Sequence, residues 1–151
     1  FTDTLITGES NLADGLYDLR YRTTQRTAHL SLDWQWLINL DPLPKLDQRS
    51  VLYILRIIQE ALNNALKHSR ATRIIIAASI HAERNVLELS VTDNGSGLPE
   101  HIRYGRGLRG MQHRAREIGA ELTLLREEPG TTVRFIMGIC DDTDNNPAAT
   151  P

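Results

Sequence analysis

The fold is decided by residues 50–92, which read SVLYILRIIQEALNNALKHSRATRIIIAASIHAERNVLELSVT. The first part predicts an amphipathic helix over about 50–69, because its apolar residues recur three and four positions apart. Two apolar runs, Arg73–His81 and Val86–Thr92, then predict a pair of strands around a polar turn at 83–85. A helix followed by two adjacent strands favours an antiparallel or mixed sheet with helices on one face over an alternating βαβ array.

The rest of the chain adds predicted elements on both sides of this segment. Before it we expect a helix over about 10–28 and a strand over 30–38. After it we expect a helix over about 108–118 and strands over 121–126 and 131–139. The order of these elements predicts the α+β class.

Length and composition limit the classes of protein. The 151 residues suit one compact domain, and a formal net charge of -2 gives no sign of the basic excess typical of nucleic-acid binding. The one cysteine, Cys140, cannot form an internal disulfide, which fits a reducing cytoplasm. We expect Cys140 to be a small buried residue near the end of a strand. No apolar run approaches the length of a membrane span, and no signal peptide is predicted.

The chain divides into three predicted regions. Residues 1–29 form a lead and first helix, residues 30–140 form the core domain, and residues 141–151 form a tail that we expect to be disordered. The first residue is Phe1 rather than Met, which favours a piece of a longer protein.

Three polar residues share one side of the predicted helix over 50–69. Glu60 and Asn64 are four positions apart and Lys67 follows three positions later, so the three form a narrow stripe. Two interpretations fit this stripe. It is either a solvated helix face or a polyphosphate site in which an amide oxygen binds Mg²⁺ and a lysine contacts phosphate. The opposite side is apolar and predicts a core face made of Val51, Leu55, Ile58, Leu62 and Ala65.

An aspartate and two glycines follow the second strand, in Asp93-Asn94-Gly95-Ser96-Gly97. A carboxylate only accepts hydrogen bonds, so Asp93 in a pocket would accept from the amine of adenine and repel the carbonyl oxygen of guanine. A plain turn explains the same residues, and a glycosylation triplet at Asn94 means little without secretory features. A calcium loop is excluded because Tyr104 stands where a glutamate is required.

A further glycine motif, Gly105-Arg106-Gly107-Leu108-Arg109-Gly110, matches G-x-G-x-x-G. A dinucleotide-binding unit needs a hydrophobic strand directly before this motif, and residues 100–104 are a poor one. The G-x-x-x-x-G-K-[ST] pattern of a phosphate-binding loop does not occur in the sequence. Glycines at the start of a helix would still present free N–H groups and a positive dipole end to an anion.

Four segments, in this order, resemble the ATP-binding domain shared by histidine kinases, DNA gyrase, the heat-shock chaperone ATPase and the mismatch-repair ATPase. They look like the asparagine box (59–69), the two glycine boxes (93–97 and 105–111) and the closing Gly-Thr element (129–133). The wording QEALNNALKHS and GRGLRGM is most similar to histidine kinases of the nitrate-sensor and membrane-fluidity-sensor type. The resemblance implies a two-layer α+β sandwich, in which about three helices cover one face of a mixed, mostly antiparallel sheet.

The resemblance also implies catalytic and ATP-binding roles. Asn64 would bind Mg²⁺, Lys67 would contact phosphate, and Glu60 would order the attacking group or hold the metal through water. Asp93 would bind the adenine amine, and Thr131 would support the adenine side. The other residues that the resemblance assigns to ATP binding are His68, Gly95, Gly97, Gly105, Gly107, Leu108 and Gly110.

A sensor histidine kinase is therefore the function that the resemblance implies, with ATP and Mg²⁺ as cofactors. It would transfer the γ-phosphoryl group to a histidine on a dimerisation domain absent from this chain, and a response regulator would act downstream. The full-length protein would be a homodimeric bacterial membrane sensor with this domain in the cytoplasm, without membrane contact of its own.

None of the five histidines is followed by an acid, as the family's phosphoacceptor usually is, so we expect no self-phosphorylation. Two alternatives stay open. One is another enzyme of the superfamily, such as an anti-sigma-factor serine kinase or an ATPase. The other is a degenerate module that binds without catalysis.

Overall fold

A computed structural model describes residues 11–68, 70–96, 105–126 and 129–139. The elements in chain order are helix α1 (Leu12–Arg26), strand β1 (Asp33–Asn39), helix α2 (Gln48–His68), strands β2 (Arg73–His81) and β3 (Val86–Asp93), helix α3 (Arg106–Glu117), and strands β4 (Ala120–Arg126) and β5 (Thr131–Gly138). They confirm the predicted α+β class. None of the helices in these ranges is long and apolar enough to cross a bilayer.

Within the described residues, one five-stranded sheet has the order β1-β2-β3-β5-β4. Strands β1 and β2 are parallel and the other neighbours are antiparallel, which confirms the predicted mixed sheet. Residues in register share a face, and Ile76, Val91 and Val133 form one buried row across the sheet. Helix α2 packs against β3 and α3 against β4, while α1 packs against α2. The core therefore lies between this face and the helices.

Helix α2 begins at Gln48 rather than at Ser50 because Asp47 caps it. The backbone N–H of Ser50 donates a hydrogen bond to Asp47 Oδ1 at 2.8 Å. Hydrogen bonds from the Ser50 hydroxyl and backbone lower the pKa of the Asp47 carboxyl. Asp47 therefore carries a negative charge at neutral pH beside the positive end of the helix, where it is stabilising.

The buried side of α2 is wider than the sequence predicted. Leu55 is only partly buried, whereas the other four residues of the predicted core face are buried. Ile54, Ile57 and Ala61 are buried as well, because α3 packs alongside α2. The polar stripe therefore borders the core instead of lying opposite to it, and Asn64 is only 8% exposed.

Strand β1 begins at Asp33, three positions later than the predicted start at Leu30. Leu30 still belongs to the turn that ends α1, because its N–H donates to the Thr27 carbonyl at 2.9 Å. Pairing with β2 starts only where Asp33 meets Arg73. Cys140 and the predicted tail lie outside the described residues, and the predicted domain boundaries stay predictions.

The turn before β5 passes directly over the end of β3. Gly130 has φ of +111°, and a Cβ on this residue would overlap the backbone carbonyl oxygen of Asp93. Thr131, the next residue, is the register partner of Asp93. The turn before β5 can therefore approach the end of β3 this closely only without a side chain at position 130.

We predict that Gly130→Ala destabilises the fold by about 1–3 kcal/mol or more, because it adds backbone strain and a backbone overlap. Thermal unfolding of the 151-residue chain measures the effect. Gly138→Ala is the matched control, since a Cβ there has nothing within 4 Å, and we expect a change of about 0.5 kcal/mol or less. Equal melting temperatures of the two variants would contradict the steric argument.

Candidate functional site

The C-terminal half of α2 and the start of α3 enclose a cavity of about 220 Å³, which we call the α2–α3 pocket. It is lined by Glu60, Asn63, Asn64, Lys67, His68, Gly105, Arg106 and Gly107. The polar stripe of the asparagine box thus faces the beginning of the second glycine box. Two motifs that are distant in sequence meet at one place.

Helix α3 begins at Arg106, two positions before the predicted start at 108 and inside the second glycine box. Gly105 is the N-cap residue, and its carbonyl accepts a hydrogen bond from the Arg109 N–H at 3.1 Å. Gly105 has no side chain that could cap the helix, and the first turn carries no acidic residue. The positive end of the α3 dipole therefore lies at the pocket with no cap from its own N-cap residue.

Gly107 allows α3 to come close to α2. A Cβ at this position would lie 2.8 Å from Glu60 Oε1 and 4.0 Å from Asn64 Nδ2. A glycine inside a helix is less favourable than alanine by about 1 kcal/mol. Its presence here leaves the space that the Glu60 carboxylate occupies.

Two other predicted residues of the second glycine box lie on α3 but do not line the pocket. Leu108 is buried in the hydrophobic core, so its side chain anchors the start of the helix. Gly110 is near one side chain, because a Cβ there would come within 3.3 Å of the Arg114 guanidinium. Gly97 lies outside the described residues.

The remaining predicted residues meet at the ends of β3 and β5. Asp93 and Thr131 are register partners, only 5% and 4% exposed, and we call them the Asp93–Thr131 pair. Asp93 is two positions after buried Val91, so its side chain lies on the helix-covered face of the sheet. The Gly95 N–H donates to Asp93 Oδ1 at 2.9 Å and helps to orient the carboxylate.

Asn94 holds this end of the sheet in place, a role that the sequence analysis did not predict. Its Oδ1 accepts hydrogen bonds from the backbone N–H groups of Thr72 and Arg73, both at 2.9 Å. Its Nδ2 donates to Thr72 Oγ1 at 2.9 Å. The segment after β3 is thereby fixed to the start of β2, directly beside Asp93.

The charges of the α2–α3 pocket favour an anion. Lys67 and Arg106 bring two basic side chains to the lining, and Glu60 is its only carboxylate among the described residues. Lys67 and His68 also occupy the last turn of α2, where cations suit the helix dipole. Asn63 and Arg106 also line the pocket and were not predicted from the sequence.

The residues of the pocket fit Mg²⁺ that is shared with a polyphosphate. No group of three or more His, Cys, Asp or Glu within the described ranges could hold a metal ion. Mg²⁺ is usually held by one or two carboxylates together with substrate phosphates, so a closed protein cage is not required. Glu60 and the amide oxygen of Asn64 are suitable hard ligands.

The Asp93–Thr131 pair is a separate part of the candidate site, because neither member lines the α2–α3 pocket. The pocket has a volume of about 220 Å³, and its basic and amide side chains suit a polyanion.

Residues 50–139 match the model of the family described as histidine kinase-, DNA gyrase B- and HSP90-like ATPases. The chain is 39% identical over 93 residues to the sensor protein NarQ homolog of Haemophilus influenzae, which covers 60% of this chain and 16% of that protein. It is 33% identical over 126 residues to the sensor histidine kinase YxjM of Bacillus subtilis, which covers 81% of this chain and 29% of that protein. The chain thus spans less than a third of the length of these two relatives.

A solved structure has the same fold. The histidine kinase domain of a blue-light activated histidine kinase from Erythrobacter litoralis matches with a TM-score of 0.69 and 21% identity, over 91% of this chain and 68% of that one. At this identity the likeness shows the fold alone, and it confirms the predicted two-layer arrangement.

We predict that Gly107→Ala weakens binding of Mg²⁺-tripolyphosphate about tenfold, the effect of losing one charged interaction of about 1.5 kcal/mol. The added methyl group displaces the Glu60 carboxylate, while the gain in helix propensity offsets the crowding. Calorimetric titration measures the affinity, and Gly138→Ala is the control for the added methyl group. Unchanged affinity in Gly107→Ala would show that the contact between α3 and Glu60 does not contribute to polyphosphate binding.

Proposed function

The chain belongs to the histidine kinase-, DNA gyrase B- and HSP90-like ATPases, and within that family we propose that it is the ATP-binding catalytic domain of a sensor histidine kinase. The observation that carries this proposal is the meeting of Glu60, Asn64 and Lys67 with the start of α3. The relatives named as sensor proteins support it. A complete set of site residues also favours it over a degenerate binding module.

The nucleotide would bind across both parts of the site. The phosphates would enter the α2–α3 pocket, where cations and helix N–H groups favour negative charge. The base would lie at the Asp93–Thr131 pair, where a buried carboxylate can accept from the adenine amine. Neither Asp93 nor Thr131 lines the pocket, which supports this division.

Asn64 and Glu60 would hold Mg²⁺, Glu60 directly or through water. When bound, Mg²⁺ neutralises charge on the phosphate oxygens. Both side chains lie on the C-terminal half of α2, and Asn64 is only 8% exposed, so burial limits the positions of its side chain.

The chain's own residues would contribute positioning and charge neutralisation, which supply most of the catalysis in phosphoryl transfer. Lys67 would neutralise phosphate oxygens, and the first N–H groups of α3 would hold the phosphate chain. Glu60 would accept a proton or a hydrogen bond from the attacking histidine at its carboxylate. The attacking group would come from a separate dimerisation domain.

The partners follow from the same proposal. The whole protein would be a homodimer in which the acceptor histidine lies on the dimerisation domain, and a response regulator would take the phosphoryl group. This domain would lie on the cytoplasmic side of a membrane sensor. The support is that the chain spans less than a third of its sensor relatives and that no histidine here precedes an acid.

We predict that Asn64→Ala lowers the affinity for ATP about tenfold or more in Mg²⁺ but little in EDTA, because a metal ligand is lost. Calorimetric titration in both buffers measures the difference, and circular dichroism checks the fold. Asn39→Ala, at the exposed end of β1, is the matched control and should bind as the wild type does. Equal losses in Mg²⁺ and EDTA would contradict a metal-binding role for Asn64.

We predict that the wild type prefers ATP to GTP by about tenfold or more, because the Asp93 carboxylate would face the carbonyl oxygen of guanine and lose roughly 1–3 kcal/mol. Asp93→Asn should weaken ATP binding and narrow this preference, since an amide can donate as well as accept. Competition of both nucleotides against a fluorescent nucleotide measures the ratio. If Asp93 only formed a turn, Asp93→Asn would lower the affinities for ATP and GTP equally.

A further inference from the structure

Arg106 stands in the α2–α3 pocket at the variable position between two glycines of the motif. It is the first residue of α3, and it lines the pocket together with Lys67 from the last turn of α2. The two helices thus each bring a basic side chain to the same cavity.

The position of Arg106 is electrostatically unfavourable in the free helix. A helix N-terminus carries a partial positive charge, so a cation there is destabilising, whereas Arg114 and Arg116 in the last turn of α3 suit the dipole. The first turn has no acidic residue, and its N-cap residue, Gly105, has no side chain. The ion pairs among the described residues include none between Arg106 and a carboxylate. A bound anion would balance this positive charge.

The chemistry of the side chain indicates which anion. A guanidinium presents a planar fork of donors that matches two oxygens of a phosphate. The base would lie at the Asp93–Thr131 pair, outside the pocket, so the pocket would hold the part of the nucleotide that is distant from the base.

We propose that Arg106 binds the β- and γ-phosphates of ATP and makes the domain discriminate against the monophosphate. This inference rests on the proposed function. It assigns a specific role to a residue that the glycine motif leaves unspecified.

The test compares Arg106→Gln with Arg116→Gln in the 151-residue chain. The two variants remove the same charge from opposite ends of α3. Both side chains are exposed, and of the two only Arg106 lines the pocket. Competition against a fluorescent ATP analogue gives the affinities for ATP, ADP and AMP. Thermal unfolding without nucleotide gives the stability.

Arg106→Gln should bind ATP and ADP about tenfold or more weakly, the loss expected for one charge-assisted hydrogen bond, and should bind AMP within about twofold of the wild type. Its melting temperature without nucleotide should be unchanged or raised by about 1–4 °C, because an unfavourable charge is gone. Arg116→Gln should bind all three nucleotides normally and melt slightly lower. Arg106→Lys, which keeps the charge but not the fork, should fall between wild type and Arg106→Gln.

Unchanged ATP affinity in Arg106→Gln would overturn the inference and leave the proposed function intact. An equal loss for AMP, ADP and ATP would also overturn it, because the residue would then act on the whole site. A wild type that binds no ATP but binds tripolyphosphate would instead refute the proposed function, and this inference with it.

Discussion

The close packing of α3 against α2 at Gly107 is the contact on which the pocket depends. It brings the start of α3 beside the Glu60 carboxylate and makes one wall of the cavity from each helix. Leu108, the next residue, enters the core and fixes the helix at this distance. Gly107 and Leu108 lie in the same turn of α3. A shift of Leu108 in the core would therefore also move Gly107 and change the shape of the pocket.

The sheet supplies the second constraint, through the register of β3 and β5. This pairing sets Asp93 beside Thr131 at the end of a row that continues the core face. Gly130 lets the chain turn tightly over Asp93, and Asn94 joins the following segment to β2. A buried carboxylate is costly unless hydrogen bonds satisfy it, so the surrounding backbone has to be held firmly.

Much of this arrangement could be predicted from the sequence, because periodicity and glycine motifs are local signals. Helical spacing put Glu60, Asn64 and Lys67 on one side of α2, and the pocket does bring them together. Periodicity could not reveal that α3 covers a further side of α2, so the burial of Ile54 and Ile57 was missed. The hydrogen bonds of Asn94 and the place of Arg106 depend on tertiary contacts that no local pattern encodes.

The start of α3 also affects how stable the domain is when nucleotide is present. Under the proposed function, a nucleotide would bind the N–H groups at this helix end, and it would bind the folded state only. Mass action then adds about 2.7 kcal/mol of stability when free nucleotide is a hundred times its dissociation constant. In a cell with abundant nucleotide, the free energy of unfolding would be that of the complex. A fall in nucleotide concentration would therefore lower the stability of the domain as well as its occupancy.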